Sequence, residues 1–188
     1  MRIVVGLGNP GEKYLRNYHN LGFMAAEAAS QKLGVKLKKR ECQSLTAVVQ
    51  RGGQKAVLAT PQTYMNLSGE AVKGLMKKYG ARPEDILILY DEADIEPCAI
   101  RIRQSGSGGS HNGMCDIVAA LGTENVPRLR IGIGRPVDER PLHDHVLSDI
   151  PQHLREPMFQ TILKAADAAV EFLGGADVET LMLKYNGK

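Results

Sequence analysis

Short apolar runs and amphipathic segments alternate along the chain and predict its strands and helices. Arg2 to Gly6 and Ile86 to Tyr90 are apolar runs of strand length, which indicates strands that are buried on both faces. Leu45 to Gln50 and Lys55 to Thr60 flank the pair Gly52-Gly53, a combination typical of a β-hairpin. We therefore expect four strands in the first half of the chain.

Two later segments alternate residue by residue, as half-buried strands do. In Ala99 to Arg103, Ile100 and Ile102 share one face, while Arg101 and Arg103 share the other. In Arg128 to Ile133, Leu129, Ile131 and Ile133 are expected to point inward, and Arg128 and Arg130 outward. If these strands are neighbours, up to four guanidinium groups lie on one surface.

The remaining segments have the spacing and the end signals of helices. They are Tyr18 to Leu33, with Gly34 as its stop; Gly69 to Tyr79, with Ser68 as its N-cap; a helix capped by Asn112 and running to Leu121; and a last long helix that begins between Pro151 and Pro157. Strands and helices alternate with no change in composition. The sequence therefore predicts an α/β fold, in which residues 1–188 form a single domain with a mixed β-sheet sandwiched by α-helices.

Composition narrows the class of protein. The 188 residues carry a net charge of +3, which is too small to indicate nucleic-acid binding unless the charges are clustered. Cys42, Cys98 and Cys115 lie far apart without a metal or redox spacing, so we expect a reducing compartment. No segment approaches the ~20 apolar residues of a membrane span, and Met1 leads directly into a strand. We expect a cytoplasmic protein that does not contact a membrane.

Polar side chains gather at the predicted junctions between strands and helices, where ligands of open α/β sheets bind. These segments are Gly8 to Tyr14 with His19-Asn20, Thr63 to Gly69, the acidic run Asp91 to Asp94, and Ser110 to Gly113. An imidazole can take a proton from water, a carboxylate can orient it, and neutral amides can hold a polar substrate. This combination is suited to the hydrolysis of an activated ester.

The same segments resemble the bacterial-type peptidyl-tRNA hydrolase family, from Val4 to about Phe172. The matching pieces are Val5 to Gly11, Tyr14, His19-Asn20, Pro61, Tyr64 to Gly69, Asp91-Glu92 with Asp94, Gly108 to Gly113, and Arg128 to Gly134. Ser110 stands where the family usually has glycine, and Tyr64 where phenylalanine is more frequent. The resemblance implies an enzyme that cleaves peptidyl-tRNA into peptide and free tRNA, as a monomer and with neither metal nor cofactor.

The resemblance also implies a role for individual residues. His19 would be the general base, oriented by Asp91, and Asn9 would separate blocked from unblocked aminoacyl groups. Asn66 and Asn112 would bind the 3′ end of the tRNA, Tyr14 and Tyr64 would line the same cleft, and Met65 would pack beneath it. His111 would support the site or contact substrate. Arg103 and Arg130 would clamp the 5′ phosphate, for which bidentate guanidinium groups are suited.

Other interpretations of these residues remain open. Gly6 to Gly11 has the spacing of a dinucleotide-binding loop, but the predicted helix begins too late for that motif. His143 and His145 flank Asp144 and suggest either a metal site or an exposed edge. Asparagines can also be simple caps or turn formers. Some relatives of the family are RNA-binding partners in plastid intron splicing, but the residues from Met1 to Gly6 do not resemble a transit peptide, so we expect the hydrolase.

Overall fold

The computed structural model describes residues 1–187, which form seven strands and six α-helices. The strands are β1 (Ile3–Gly6), β2 (Lys39–Glu41), β3 (Ser44–Arg51), β4 (Gln54–Pro61), β5 (Ile86–Glu92), β6 (Ile100–Arg103) and β7 (Arg128–Gly132). The helices are α1 (Leu21–Lys32), α2 (Ser68–Tyr79), α3 (Asn112–Leu121), α4 (Leu142–Val146), α5 (Gln152–Leu173) and α6 (Val178–Tyr185). Within residues 1–187, no helix has the length and apolar character needed to cross a bilayer.

The strands form one mixed sheet in the order β2-β3-β4-β1-β5-β7-β6. Strands β4, β1, β5 and β7 are parallel to one another, whereas β3 and β6 run antiparallel to the strands they pair with. The carboxyl ends of four strands therefore meet at one edge of the sheet. That edge is the usual ligand-binding position in open α/β sheets.

Helices cover both faces of the sheet. Val4, Leu58 and Leu89 point to one face and pack with residues of α1, α5 and α6. Val5 and Ile88 point to the other face and pack with residues of α2 and α3. The alternation of side chains along each strand divides the core into these two layers. The predicted α/β fold with a sheet between helices is confirmed.

Two glycines bring α1 unusually close to the sheet. A Cβ atom on Gly6 would lie 2.1 Å from the carbonyl oxygen of Gly22, and a Cβ on Gly22 would lie 2.2 Å from that of Leu89. No other residue type fits this approach without displacing backbone. The start of α1 is thus fixed against β1 and β5, and so is the 3-10 turn Tyr18–Asn20 that precedes it.

Both predicted N-caps are wrong by one residue. Ser68 is the first residue of α2, and its hydroxyl donates to the carbonyl of Met65 at 2.7 Å. Helix α3 is capped by His111, whose Nδ1 accepts from the backbone N–H of Met114 at 3.1 Å. Asn112 therefore does not cap α3. Its neighbour His111, which was proposed for the site, is the N-cap instead.

The prediction that Arg128 points outward is also wrong. Register pairs Arg103 with Arg128 and Arg101 with Arg130, so the four side chains do share a face. Arg128, however, is only 2% exposed, because the flanking loops cover it. Its guanidinium donates to the carbonyls of Val126, Ser107 and Glu124 at 2.9, 2.8 and 3.1 Å. It connects the loops before and after α3 and is not a surface charge.

Strand β6 lies at the edge of the sheet, and Asn186 covers part of its free side. The N–H of Ile102 donates to Oδ1 of Asn186 at 2.6 Å, and Nδ2 of Asn186 donates to the carbonyl of Ile102 at 2.9 Å. This side chain thereby makes the pair of hydrogen bonds that a neighbouring strand would make.

Candidate active site

A buried pair of side chains lies at the carboxyl edge of the sheet. His19, in the turn before α1, is 7% exposed, and Asp91, near the end of β5, is 2% exposed. Nδ1 of His19 lies 2.9 Å from Oδ1 and 3.1 Å from Oδ2 of Asp91. The two residues are 72 positions apart in sequence and meet because β1 and β5 are adjacent.

His111 approaches the same carboxylate from α3. Its Nε2 lies 3.2 Å from Oδ1 of Asp91, while its Nδ1 accepts from the N–H of Met114. A backbone N–H can only donate, so Nδ1 of His111 carries no proton and Nε2 carries one. The ring of Tyr90 packs against that of His111, with centroids 4.6 Å apart. His111 is consequently fixed as a donor to Asp91.

The carboxylate of Asp91 is ionised in this arrangement. Burial alone would raise the pKa of Asp91, but His19 and His111 outweigh it and hold the pKa well below the usual range. An ionised carboxylate can only accept hydrogen bonds, so the Nδ1 of His19 that faces it carries a proton. Nε2 of His19 is then the unprotonated nitrogen, and it can accept a proton from a molecule in the cleft.

The same three side chains are near enough to suggest a cation site, since their ligand atoms lie within 4.8 Å of one another. A metal-bound imidazole nitrogen must carry no proton. Nε2 of His111 holds one, because Met114 occupies Nδ1. The donors therefore suit proton transfer better than metal coordination.

A cleft of about 570 Å³ opens above the histidine-carboxylate cluster. It brings together His19 and Asp91 with six other residues that the sequence singled out: Asn9, Tyr64, Met65, Asn66, His111 and Asn112. A Cβ on Gly113 would lie 2.5 Å from Sδ of Met65. The first turn of α3 thus packs directly on the segment before α2, which places Asn66 and Asn112 at one opening.

Asn9 is held at one wall of the cleft with its amide in a defined orientation. Its Oδ1 accepts from the N–H of Met65 at 2.9 Å. The side chain of Asn20 bonds both backbone groups of Asn9, at 2.8 and 3.0 Å. Because Oδ1 is engaged, Nδ2 is the end of the amide available to a ligand. Asn20 was part of the motif, but the sequence did not suggest this bracing role.

Tyr14 lies apart from the other candidates. It is half-buried in the 3-10 turn Glu12–Tyr14 and is not among the residues that line the cleft. The ammonium of Lys13 lies 4.7 Å from the centre of its ring. Its assignment to the cleft therefore stays a prediction.

The two arginines proposed for phosphate differ in their surroundings. Arg103 is exposed on the edge strand β6. Arg130 is largely buried, with 14% of its side chain exposed, and its Nη1 lies 3.6 Å from the carboxylate of Glu92. Glu92 lines the cleft, so Arg130 lies beside the proposed reaction centre. The buried Nε of Arg130 has no partner within residues 1–187.

Helix α4 forms a wall of the cleft and was not among the predicted helices. Leu142, Val146 and Leu147 line the same cleft as the asparagines, and their helical spacing could have indicated a helix. His143 to His145 lie in this helix and not on a strand edge. Nε2 of His145 bonds the carbonyl of Gly134 at 3.0 Å. Helix α1 begins ten residues after Gly11, unlike a dinucleotide-binding loop, whose glycines open the helix.

Comparison with known proteins gives similarities along the whole chain. A sequence model of the family described as peptidyl-tRNA hydrolase matches residues 3–188. The peptidyl-tRNA hydrolase of Alkaliphilus metalliredigens (strain QYMF) is 40% identical over 187 residues, 100% of both chains. That of Moorella thermoacetica is 41% identical over 184 residues, 98% of this chain and 97% of its own. The crystal structure of peptidyl-tRNA hydrolase from Acinetobacter baumannii has a TM-score of 0.92 and 37% identity, covering 100% of this chain and 95% of that one.

Proposed function

The chain belongs to the peptidyl-tRNA hydrolase family, and on that premise we propose that His19 is the general base of its ester hydrolysis. The enzyme is a hydrolase that acts on peptidyl-tRNA. The observation that supports His19 is the array around Asp91, which holds the proton of His19 on Nδ1 and leaves Nε2 unprotonated. By this proposal the enzyme recycles the tRNA that stalled or aborted translation leaves attached to a peptide. The His19→Ala variant tests the step, since its hydrolysis should fall while tRNA binding persists.

The proposed step begins with a water molecule in the cleft. Nε2 of His19 takes a proton from the water, whose oxygen forms a bond to the carbonyl carbon of the ester. The tetrahedral intermediate then collapses, the bond to the ribose oxygen breaks, and the imidazolium returns its proton to that oxygen. Asp91 stabilises the imidazolium between these events through the contact at 2.9 Å.

We assign the exposed amides to the substrate. Asn66 and Asn112 are exposed at the opening of the cleft, where they can bond the terminal ribose and the attacking water. Tyr64 is 61% exposed beside them, while Met65 is buried and supports both segments. Residues of one chain supply this whole set, which supports action as a monomer.

Asn9 is expected to select substrates by the state of their amino group. Its Nδ2 can donate to the amide carbonyl of a peptidyl group, but it offers nothing to the charged ammonium of an unblocked aminoacyl group. In Asn9→Asp, one oxygen can still accept from Met65, while the other places negative charge at the former Nδ2. The ratio of aminoacyl-tRNA to peptidyl-tRNA hydrolysis should rise about tenfold or more, since ~1.4 kcal/mol of charge interaction suffices.

The measurement compares single-turnover rates on two substrates that differ only in N-acetylation. Asn112→Asp is the matched control, because it adds the same charge at another wall of the cleft. An equal rise in both variants would mean that any negative charge attracts the ammonium. If Asn9→Asp leaves the ratio of aminoacyl-tRNA to peptidyl-tRNA hydrolysis unchanged, Asn9 does not determine this selectivity.

Arg103→Ala and Arg130→Ala are each expected to weaken binding of tRNA that carries a 5′ phosphate. The loss should be about tenfold per variant, because a charge-assisted hydrogen bond contributes ~1.5 kcal/mol or more. Removal of the 5′ phosphate should abolish the difference in affinity between variant and wild type, because the wild-type arginine then has no phosphate to contact. Arg82→Ala is the control, because this exposed arginine lies before the amino end of β5 and pairs with Asp85. If dephosphorylated tRNA is affected as strongly, the two arginines act as general surface charge.

A further inference from the structure

A second groove lies on the other side of Asn9 from the cleft. It has a volume of about 360 Å³ and lies between α1 and the half of the sheet formed by β3 and β4. Leu45 and Thr60 line its sheet side, and Phe23 and Met24 line its α1 side. Asn9 borders both the groove and the cleft. The two hollows are therefore neighbours on either side of the residue that we propose to contact the acyl group.

The order of the strands places this groove opposite the proposed RNA contacts. Strands β4 and β3 lie on one side of the central pair β1 and β5, while β7 and β6 lie on the other. Arg130 and Arg103 belong to β7 and β6. The acyl and ribosyl arms of an ester leave opposite sides of its carboxyl group. If the ribosyl arm extends toward β7 and β6, the acyl arm extends toward the groove.

The chemistry of the groove suits a peptide and opposes RNA. Among residues 1–187, no lysine or arginine lines it, and its charged residue is Glu27. A carboxylate repels phosphodiesters. Leu15 at its edge is 62% exposed, and Leu37 and Leu45 are partly exposed within it. Such apolar surface gains free energy when another apolar side chain covers it.

We propose that this groove binds the peptide arm of the substrate, taking residues that precede the esterified one and favouring apolar side chains there. This inference rests on the proposed function, because it takes the ester to lie between His19 and Asn9. The groove then adds affinity for long peptidyl groups. A substrate with a single N-acetylated residue is too short to use it.

The test compares two substrates on the same tRNA. One carries a single N-acetylated amino acid, and the other carries a tetrapeptide with the same esterified residue and leucines before it. Leu15→Asp and Leu37→Asp place charge in the groove. Leu15 is exposed, whereas Leu37 also packs against the core, so the melting temperature of each variant is recorded. Leu183→Asp is the control, because Leu183 is 87% exposed on α6, away from the groove. Single-turnover kcat/KM is measured for each pair.

For the tetrapeptide, kcat/KM is expected to fall about tenfold in both groove variants, the effect of losing one well-covered apolar side chain. The short substrate should change by less than about twofold in the same variants, because a distant surface substitution has little effect. An equal loss of kcat/KM on both substrates, or no loss on the tetrapeptide, would show that the groove does not bind the peptide. Hydrolysis of the short substrate by the wild type tests the catalytic centre separately, so the two ideas can fail independently.

Discussion

His19→Ala is expected to lower the rate of single-turnover hydrolysis by ~10²–10⁴-fold, the usual contribution of a general base. The structure leaves no substitute in place, because His111 carries its proton on the nitrogen nearest the site and its other nitrogen caps α3. Binding of tRNA should stay within about twofold of the wild type, since phosphate contacts supply most of that affinity.

Hydrolysis and tRNA binding are to be measured on one preparation whose melting temperature is also recorded. His153→Ala is the matched control, because His153 is exposed on α5 and lies outside the cleft. Retention of more than about a tenth of the rate by His19→Ala would place the base elsewhere, since a lost base costs at least ~10²-fold.

Asp91→Asn is expected to lower the rate by up to ~10⁴-fold, the loss that the same substitution causes in a Ser-His-Asp triad. Asp91 accepts hydrogen bonds from two rings, and both Nδ1 of His19 and Nε2 of His111 lie closest to its Oδ1. Met114 fixes the proton of His111, so the amide oxygen of the variant is needed at the Oδ1 position. The amide NH₂ group then takes the place of Oδ2, 3.1 Å from Nδ1 of His19, and the neutral amide cannot stabilise the imidazolium that forms during the reaction.

The rate of Asp91→Asn should fall at every pH and not only in acid. The pKa of Asp91 is held below its usual range, so the carboxylate is lost only well below pH 4. Any fall in the wild-type rate above that range reflects another group. The double variant with His19→Ala should be no slower than His19→Ala alone, because the two residues act as one unit. Additive losses would show that Asp91 acts independently of His19.

Much of the fold follows from periodicity, and the exceptions have physical causes. The buried strands β1 and β5 and the hairpin of β3 and β4 are visible because their apolar pattern is set by the sheet itself. Arg128 was wrongly predicted to be exposed, because alternation shows on which face of the sheet a side chain lies but not whether a loop covers that face. Strand β2 is a three-residue charged segment, Lys39–Glu41, whose carboxylate is held by Lys39 and Lys78. It is a strand because it pairs with β3 in antiparallel register, which its own residues do not indicate.

The candidate site divides in a similar way. The pairing of His19 with Asp91 was predicted from the family resemblance, with Asp91 at the end of a predicted strand and His19 at the start of a predicted helix. The role of His111 could not be predicted in this way, since it depends on a contact with Met114 that fixes the tautomer. Asn112 was expected to cap α3, but the residue before it takes that role. A cap is decided by which side chain reaches the free N–H groups, and neighbouring polar residues compete for them.

The amide of Asn186 has a consequence for self-association. An edge strand with free N–H and C=O groups is a template onto which another chain can add, and this is a common start of aggregation. On β6, Asn186 engages both backbone groups of Ile102. Asn186 thus blocks intermolecular strand pairing at this position. A chain shortened before Asn186 would expose the free N–H and C=O groups of Ile102 on β6, next to the arginines that we assign to tRNA.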